Sequence, residues 1–529
     1  MSFSASNTSV PWAWPDSINL DDLPWNIGLL PVTFLALVLV LSLGFFVPKS
    51  NLPLVNSPAW WELRWQKQVG FVKDGMKIIR AARKKYAGRP YRVITTVGEC
   101  IVLPPAFVNS IRNNTALNFR KAITRDFHFD YPGFSPFALL DDPNLLLLTV
   151  VRKQLTKHLN TVTAPLASET AFATNYIFGN SLEWQDIQIQ DATLDLVARL
   201  SSRVFLGDEI CRNEAWLKIT KEYTILVFTA AAKMNLVPAL FRPLAMWLDP
   251  TCKQVRAALA GAHSIMAPMI EARRKLVADA QKSGQKVPVF NDAIEWAETE
   301  AKDPSYNAAV FQLTMSFAAI HTTTDLLTQT LIRLADKPEV ITPLREEIVA
   351  VLKTEGWKKA ALYNMKLLDS AIKEAQRLKP TETVHMRRLA TKDVTLPDGF
   401  VVRKGEHTVV DTYSMSDPNV HSDPDKYDIY RFKKMREEPG GEHRAQLVST
   451  SPDHLAFGHG YYACPGRFFA SNEIKVALCY LLLRYDWKMA PGSTAEPICH
   501  ATAMAINPET RLMFRRRKEE IDLEALAFE

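Results

Sequence analysis

Apolar residues recur along this chain with two different spacings, and each spacing predicts a type of secondary structure. Apolar residues at every third or fourth position predict α-helices, and short β-branched runs between turn residues predict strands. The predicted helices are 60–86, 145–159, 194–205, 216–234, 306–337, 367–378 and 467–485. The helix at 306–337 is the longest of them. The predicted strands are 91–96, 99–103, 394–396, 400–402 and 408–411. Helices therefore predominate, with a small amount of sheet.

Three stretches lack either spacing and are predicted to be irregular. Residues 113–137 mix aromatic residues with prolines and glycine, 236–248 contains Pro238 and Pro243, and 424–446 is polar and charged. Because proline and glycine interrupt regular structure, we predict loops in these stretches. The apolar residues of 236–248 suit either the protein core or contact with lipid.

The apolar run near the amino terminus differs from the rest of the pattern. Residues 25–48 contain no charged side chain, and the run is long enough to cross a bilayer as one helix. A cleaved signal peptide, which has a shorter apolar region behind basic residues, and a buried core helix are the alternatives. Acidic residues precede the run and Lys49, Arg64 and Lys67 follow it, so the positive-inside rule places the following domain in the cytosol.

The sequence thus predicts a single-pass protein of the endoplasmic reticulum membrane with its catalytic domain facing the cytosol. The predicted parts are a short lumenal segment at 1–24, a transmembrane helix at 25–48, a proline-containing hinge at 49–59 and the catalytic domain at 60–529.

Composition and charge exclude several classes of protein. Of the 529 residues, 47% are hydrophobic and 23% are charged, as in an ordinary globular protein. The formal net charge of +6 is small for this length, and no basic stripe with interleaved aromatic residues occurs, so nucleic acid is not an expected partner. The six cysteines are scattered without a paired framework, which favours a reducing compartment and argues against a zinc site.

The candidate chemistry centres on one cysteine in a glycine-rich stretch. Residues 457–466 have the sequence Phe-Gly-His-Gly-Tyr-Tyr-Ala-Cys-Pro-Gly, and Cys464 lies just before a predicted helix start. A helix amino terminus favours a thiolate, and the glycines allow the loop to press against a flat ligand. A buried free cysteine beside a glycine turn is the alternative. The stretch resembles the haem-binding loop of the cytochrome P450 family, the haem-thiolate monooxygenases.

This resemblance implies that Cys464 is the axial ligand of the iron in haem b, where electron donation from the thiolate favours cleavage of the O–O bond. The family usually has Arg or His where this chain has Tyr462, which offers a haem propionate a hydroxyl but no charge. The other loop residues that the resemblance places against the haem are Phe457, Gly458 and Gly466.

Two arginines match the positions of the family's propionate contacts. Arg152 lies in the predicted helix 145–159, where Leu148 stands in the place of the family's usual Trp. Arg388 matches the second contact by its spacing from Asp393, and its neighbour Arg387 is the alternative. A haem carboxylate needs a cation, so the resemblance implies that Arg152 and Arg388 bind the propionates.

The middle of the predicted helix 306–337 partly matches the family's oxygen-binding helix. Its sequence from 318 to 325 is Ala-Ala-Ile-His-Thr-Thr-Thr-Asp. The resemblance implies that Thr322 relays protons to the O2 site, with Thr323 as the neighbour that could hold the role instead. His321 replaces the family's acidic residue and could take over the relay near neutral pH. A threonine that only bonds back to the preceding helical turn is the alternative.

A third motif lies ahead of the cysteine loop. Glu374 and Arg377 are three residues apart on the predicted helix 367–378, a spacing that by itself indicates a surface pair. They resemble the family's Glu-x-x-Arg motif, which implies that they form a structural cluster with Arg431 on the cysteine side of the haem.

The resemblance extends over nearly all of the chain and implies a cytochrome P450 fold, mainly α with a small β-sheet region, preceded by one transmembrane helix. It implies a monooxygenase that uses O2 and NADPH electrons from an NADPH-cytochrome P450 reductase. The motifs are similar to those of fungal secondary-metabolism members, so the expected substrate is a bulky apolar terpenoid, meroterpenoid or indole diterpene. The alternatives are a reductase-independent haem-thiolate isomerase or dehydratase, and a haem-binding protein without turnover.

Overall fold

The computed structural model describes residues 50–302, 306–335 and 337–526. The predicted lumenal segment and transmembrane helix lie outside the described residues. Within the described ranges, no helix is both long enough and apolar enough to span a membrane. The transmembrane helix and the domain boundaries drawn around it therefore remain predictions.

Helices make up most of the described chain, as predicted. Short 3₁₀ turns occur between them, and a π-helical segment, Val150–Leu155, directly follows the helix Leu146–Thr149. The helices are α1 (Arg64–Lys85), α2 (Val108–Ile111), α3 (Phe119–Asp126), α4 (Leu146–Thr149), α5 (Leu159–Phe178), α6 (Ile189–Leu206), α7 (Glu214–Leu236), α8 (Arg242–Leu248), α9 (Pro250–Lys282), α10 (Ala293–Glu300), α11 (Ala308–Leu334), α12 (Pro338–Glu355), α13 (Lys359–Asn364), α14 (Lys366–Leu378), α15 (Arg431–Glu437), α16 (Glu442–Ala445) and α17 (Arg467–Arg484).

Four expectations about helices and loops were wrong. The predicted loop 113–137 contains α3, whose start is capped by the Asn118 side chain accepting a hydrogen bond from the Lys121 amide. The predicted loop 236–248 contains α8, which has Pro243 in its first turn, where proline is tolerated. The irregular stretch 424–446 contains α15 and α16. The longest described helix is α9, with 33 residues against 27 in α11.

The strands form a small mixed sheet and three smaller pieces. The five-stranded sheet has the order β1-β2-β8-β5-β3, and the smaller sheets are β4-β12-β9, β10-β11 and β6-β7. β1 and β2 form the predicted antiparallel hairpin, and β2 pairs with β8 in parallel. The strands are β1 (Tyr91–Thr95), β2 (Gly98–Leu103), β3 (Leu117–Asn118), β4 (Gln185–Gln188), β5 (Val384–Ala390), β6 (Val394–Thr395), β7 (Val401–Val402), β8 (His407–Asp411), β9 (Tyr485–Met489), β10 (Ile498–His500), β11 (Ala503–Ala505) and β12 (Arg511–Arg516).

Strand β5 contains an irregularity that matters for the site. Its register with β8 shifts between His385 and Arg388, and Met386 has a φ of 53°. Such a bulge redirects the side chains that follow it. Arg388 is buried as a result, whereas Arg387 keeps part of its surface exposed.

Helix α11 runs through the middle of the helical part. It packs against α6, α7, α9, α14 and α17, and most of its side chains are buried in one large apolar core. Two residues near its centre, Ala318 and Thr322, are nevertheless exposed. Because they are one helical turn apart, they lie on the same face of α11. Open space therefore borders this face in the interior of the domain.

Candidate active site

The cysteine loop is held in one conformation by its own backbone. The amide of Cys464 donates to the carbonyl oxygen of Phe457 at 2.8 Å. Gly458 and Gly460 have φ values of +66° and +77°, in the region that favours glycine. A Cβ atom on Gly460 would also lie 2.5 Å from the carbonyl oxygen of Arg112. Both glycines are thus needed for the loop that presents Cys464.

The surroundings of Cys464 have opposing effects on the pKa of its thiol. Burial raises the pKa of the thiol, while backbone hydrogen bonds from Gly466 and Arg467 and the charge of Arg467 lower it. The amides at the helix start therefore favour the thiolate, as expected, but desolvation of the free thiol is the larger effect. A metal ion removes the thiol proton and reverses this balance. The two amides at the start of α17 are then in place to stabilise the thiolate.

The three residues of α11 that are candidates for the proton relay have different surroundings. The Thr322 hydroxyl donates to the carbonyl oxygen of Ala318 at 2.9 Å, and Thr322 borders the open space beside α11. Thr323 is buried and lies near the carboxyl group of Glu473 on α17. Thr322 is therefore placed for a role in the open space, and Thr323 is not.

His321 lies against a different helix. Its Nε2 atom is 3.0 Å from the carbonyl oxygen of Lys221 on α7, and burial lowers the pKa of its imidazole to about 4. The ring is therefore neutral at physiological pH. This contact gives no support to the expectation that His321 relays protons beside Thr322, and that role remains a prediction.

Arg388 is a buried cation that no acidic side chain of the described residues neutralises. Its Nη1 atom donates to the carbonyl oxygen of Arg387 at 2.8 Å, and its Nε atom has no hydrogen-bond partner among the described residues. Burial lowers the pKa of this guanidinium to about 10. The guanidinium carbon lies 4.8 Å from the centre of the Tyr462 ring, which brings the two predicted propionate contacts together. A buried guanidinium without a counter-ion is stabilised when it binds an anionic ligand.

The alternative residue, Arg387, is already paired. Its Nη1 atom lies 3.1 Å from a carboxylate oxygen of the buried Asp126, and Glu382 is a second partner at 3.8 Å. Its charge is therefore balanced within the protein. The geometry favours Arg388 over Arg387 as the residue that meets a propionate.

Arg152 lies on the π-helical segment and borders the cysteine loop. Its Nη2 atom donates to the carbonyl oxygen of Tyr461 at 3.1 Å, and the side chain is exposed. Together with Ala463 and Arg467 it lines a cleft of about 230 Å³. The structure thus places Arg152 at the loop, and its contact with a propionate remains a prediction.

The three residues of the third motif are in direct contact. The Glu374 carboxylate accepts from Arg377 Nε at 2.8 Å and Nη2 at 2.9 Å, and from Arg431 Nε at 2.9 Å. The side chains of Glu374 and Arg377 are completely buried. Arg377 also donates to the carbonyl oxygens of Met415 and Pro424 at 2.7 and 2.6 Å. The cluster therefore ties α14 to the segment that precedes the cysteine loop.

Sequence reasoning missed two buried charged residues near this site. The Lys373 ammonium donates to the carbonyl oxygens of Gln446, Ser449 and Arg444 at 2.7, 3.1 and 3.3 Å, which anchors the segment before the cysteine loop. Glu473 lies in the core beside Thr323. The signal that could have identified Glu473 is that it is the single acidic residue of α17, most of whose side chains are apolar.

These residues fit haem b. Cys464 would hold the iron with support from two backbone amides, and the unneutralised Arg388 with Tyr462 would hold a propionate. When bound, the haem supplies the activation of O2. The open face of α11 at Ala318 and Thr322 leaves room for a ligand within a domain whose core is otherwise packed.

Comparison with known proteins agrees with this fit. The family model described as Cytochrome P450 matches residues 166–515. Cytochrome P450 monooxygenase 1 of Gibberella fujikuroi is 45% identical over 435 residues, which cover 82% of this chain and 99% of that protein. Cytochrome P450 monooxygenase eqxH of Fusarium heterosporum is 42% identical over 492 residues, which cover 92% and 94% of the two chains.

A solved structure shares the fold. The cyanobacterial CYP120A1 with retinoic acid bound superposes with a TM-score of 0.63 at 16% identity, covering 89% of this chain and 100% of that one. The extent of the family match and the coverage of the relatives confirm the family resemblance of the cysteine loop. This chain therefore belongs to the cytochrome P450 family, and it is a P450 monooxygenase that uses haem iron, binds a small-molecule substrate and receives NADPH electrons through a redox partner.

Proposed function

We propose that this monooxygenase oxidises a bulky apolar intermediate of fungal secondary metabolism, of the terpenoid, meroterpenoid or indole-diterpene class. The observation that carries the proposal is an apolar, aromatic wall beside the open face of α11. Four phenylalanines from three parts of the chain form this wall: Phe127, Phe137, Phe228 and Phe317.

The rings of this aromatic wall are in mutual contact. Phe127 and Phe137 stack with centroids 4.6 Å apart, and Phe228 meets Phe127 edge-on at 4.8 Å. Phe317, which directly precedes the exposed Ala318, lies 4.6 Å from Phe137. An aromatic surface of this kind favours ligands with large apolar surfaces and few charges. The fungal sources of the similar monooxygenases also support a fungal small-molecule pathway.

The proposal is tested with the full-length protein in yeast microsomes that contain a P450 reductase. The first measurement is the carbon monoxide difference spectrum of the reduced protein, in which thiolate-ligated haem gives a red-shifted band. A panel of terpenoid, meroterpenoid and indole-diterpene compounds is then incubated with NADPH. Product formation that requires NADPH and O2 is expected for at least one class, and oxidation of polar compounds alone would contradict the proposal.

The aromatic wall provides a matched pair of variants for this assay. Phe228→Ala is expected to change which compounds of the panel are oxidised, because Phe228 is 41% exposed and belongs to the wall. Phe172→Ala removes a ring of similar exposure, 38%, that contacts Tyr176 and Arg212 instead. We expect its product profile to match that of the wild-type protein.

We also propose that the protein is anchored in the endoplasmic reticulum membrane by residues 25–48, with the NADPH-cytochrome P450 reductase as its electron donor on the cytosolic side. Large apolar side chains support contact of the domain with lipid, since Trp60 is 93% exposed and Leu248 is 70% exposed. Carbonate-washed microsomes should retain the chain, and deletion of 1–48 should weaken this retention. Full extraction of the intact chain by carbonate would contradict the anchor.

Thr322 provides a prediction about proton handling. Thr322→Val removes the hydroxyl beside the open face of α11 and keeps the side-chain volume, so haem should still bind. Because proton transfer by a positioned side chain contributes about 10²–10⁴-fold, we expect product formed per NADPH to fall by more than about tenfold, with hydrogen peroxide released instead. Product, NADPH and peroxide are measured together in microsomes.

Thr330→Val is the control for this prediction. Its hydroxyl makes the same type of bond to the preceding turn, to the carbonyl oxygen of Leu326 at 2.7 Å, but the residue is buried two turns further along α11. Its ratio of product to NADPH should match the wild-type protein. An equal ratio in Thr322→Val would remove the assigned role.

A further inference from the structure

Residues 446–449 form a turn ahead of the cysteine loop, and Lys373 of α14 is bonded to both of its ends. The amide of Ser449 donates to the carbonyl oxygen of Gln446 at 2.9 Å and closes the turn. The Lys373 side chain donates to the carbonyl oxygen of Gln446 at 2.7 Å and to that of Ser449 at 3.1 Å. The position of the 446–449 turn is therefore fixed relative to α14.

The surroundings of Lys373 suit an ammonium group. The residue is 1% exposed, and a third hydrogen bond joins it to the carbonyl oxygen of Arg444 at 3.3 Å. Its Nζ atom also lies 5.0 Å from the centre of the Phe432 ring. Burial lowers the pKa of Lys373 to about 7, while the charge of Asp369 acts in the opposite direction. Three carbonyl oxygens and an aromatic face are the partners that an ammonium with three donors can use.

The middle of the 446–449 turn is bonded to the residue that follows the cysteine loop. Arg467 donates through Nε to the carbonyl oxygen of Val448 at 3.0 Å, and through Nη1 to the carbonyl oxygen of Cys464 at 2.7 Å. One guanidinium thus bridges the turn and the peptide group of the iron ligand. Burial raises the pKa of the Cys464 thiol, and the charge of Arg467 acts in the opposite direction. The place of this charge depends on the place of the Val448 carbonyl.

We propose that Lys373 is a positioning residue for the iron ligand. By fixing the 446–449 turn, it keeps the Arg467 guanidinium beside Cys464. A guanidinium donates in fixed directions, so it cannot follow a displaced Val448 carbonyl and keep its bond to Cys464. A positive charge beside a thiolate ligand reduces its electron donation and raises the reduction potential of the metal. The role of Lys373 does not depend on which substrate is oxidised.

The reduction potential of the haem iron tests this role. It is measured with the detergent-purified full-length protein at about pH 6.5, below the pKa of Lys373. Arg467→Gln should lower the potential, because reduction adds an electron and a nearby cation favours it. Lys373→Met, which removes the donors and keeps the length, should shift the potential in the same direction by a smaller amount. The double variant should have the potential of Arg467→Gln alone, because Lys373 acts through Arg467.

The persistence of the red-shifted carbon monoxide band is the second readout. In moderate urea, Lys373→Met should lose this band about tenfold faster than the wild-type protein, since each lost bond involves a charged donor. Arg467→Lys keeps the charge but cannot donate in two fixed directions, so it should also lose the band faster. Arg444→Gln is the control, because it removes an exposed cation beside the same turn. Its potential and its rate should match the wild-type protein.

The outcomes separate the role of Lys373 from the identity of the iron ligand. A wild-type protein without the red-shifted band would refute the thiolate ligand and the proposal with it. A normal band and a wild-type potential in Lys373→Met would overturn the role of Lys373 alone. Shifts of the two single variants that add in the double variant would overturn it equally, because Lys373 would then act independently of Arg467. If Lys373→Met does not fold, a wild-type rate in Arg467→Lys overturns the proposal.

Discussion

Cys464→Ala is expected to abolish NADPH-dependent product formation and to remove the red-shifted carbon monoxide band. The variant takes away the sulfur that would hold the iron and leaves the amides of Gly466 and Arg467 without their acceptor. Haem held only by the contacts of Arg388 and Tyr462 would lack the thiolate that favours O–O cleavage. Because the loop backbone bonds do not involve the side chain, the chain should still fold.

The measurements are the carbon monoxide difference spectrum, total haem content and product formation in microsomes. Cys479→Ala is the control, since this cysteine is also buried on α17 but contacts the sulfur of Met365. Its spectrum should retain the red-shifted band. A Cys464→Ala protein with that band and full activity would refute the assignment of the iron ligand.

Glu374→Gln is expected to lower the free energy of unfolding by about 3–5 kcal/mol and to cause loss of haem at moderate denaturant concentrations. The carboxylate neutralises two arginines, Arg377 and Arg431, in a completely buried position. An amide of the same size accepts fewer hydrogen bonds and leaves both guanidinium charges uncompensated. The segment before the cysteine loop should therefore loosen first, because Arg377 donates hydrogen bonds to the carbonyl oxygens of Met415 and Pro424 in that segment.

Glu437→Gln is the matched control for this effect. Glu437 pairs with Lys433 four residues earlier on α15, and its side chain is 60% exposed. An exposed pair of this type contributes little to stability, because solvent screens its charges. Urea titrations followed by the haem spectrum should separate the two variants clearly. Similar midpoints for both would mean that the buried cluster does not stabilise the domain.

Much of the fold follows from local patterns in the sequence. The helix at 367–378 and the hairpin at 91–103 match the observed α14 and β1–β2 pair to within a few residues. The loop of Cys464 was identified because glycines at 458 and 460 adopt conformations that other residues resist. The helices α3 and α8 were missed because each is short and starts among prolines or aromatic residues, so that capping and packing decide its formation.

The sequence by itself determined the cysteine, its loop, the order of the motifs and hence the family, because these depend on residues close together in the chain. Only the tertiary structure distinguishes the surroundings of Thr322 from those of Thr323, and those of Arg388 from those of Arg387. Neighbouring residues of the same type have nearly equal local propensities. Their surroundings differ because Thr323 faces Glu473 and Arg387 faces Asp126, whereas Thr322 faces open space. It also added the larger effect of burial, which raises the pKa of the free Cys464 thiol, since burial is a property of the packed domain rather than of the motif.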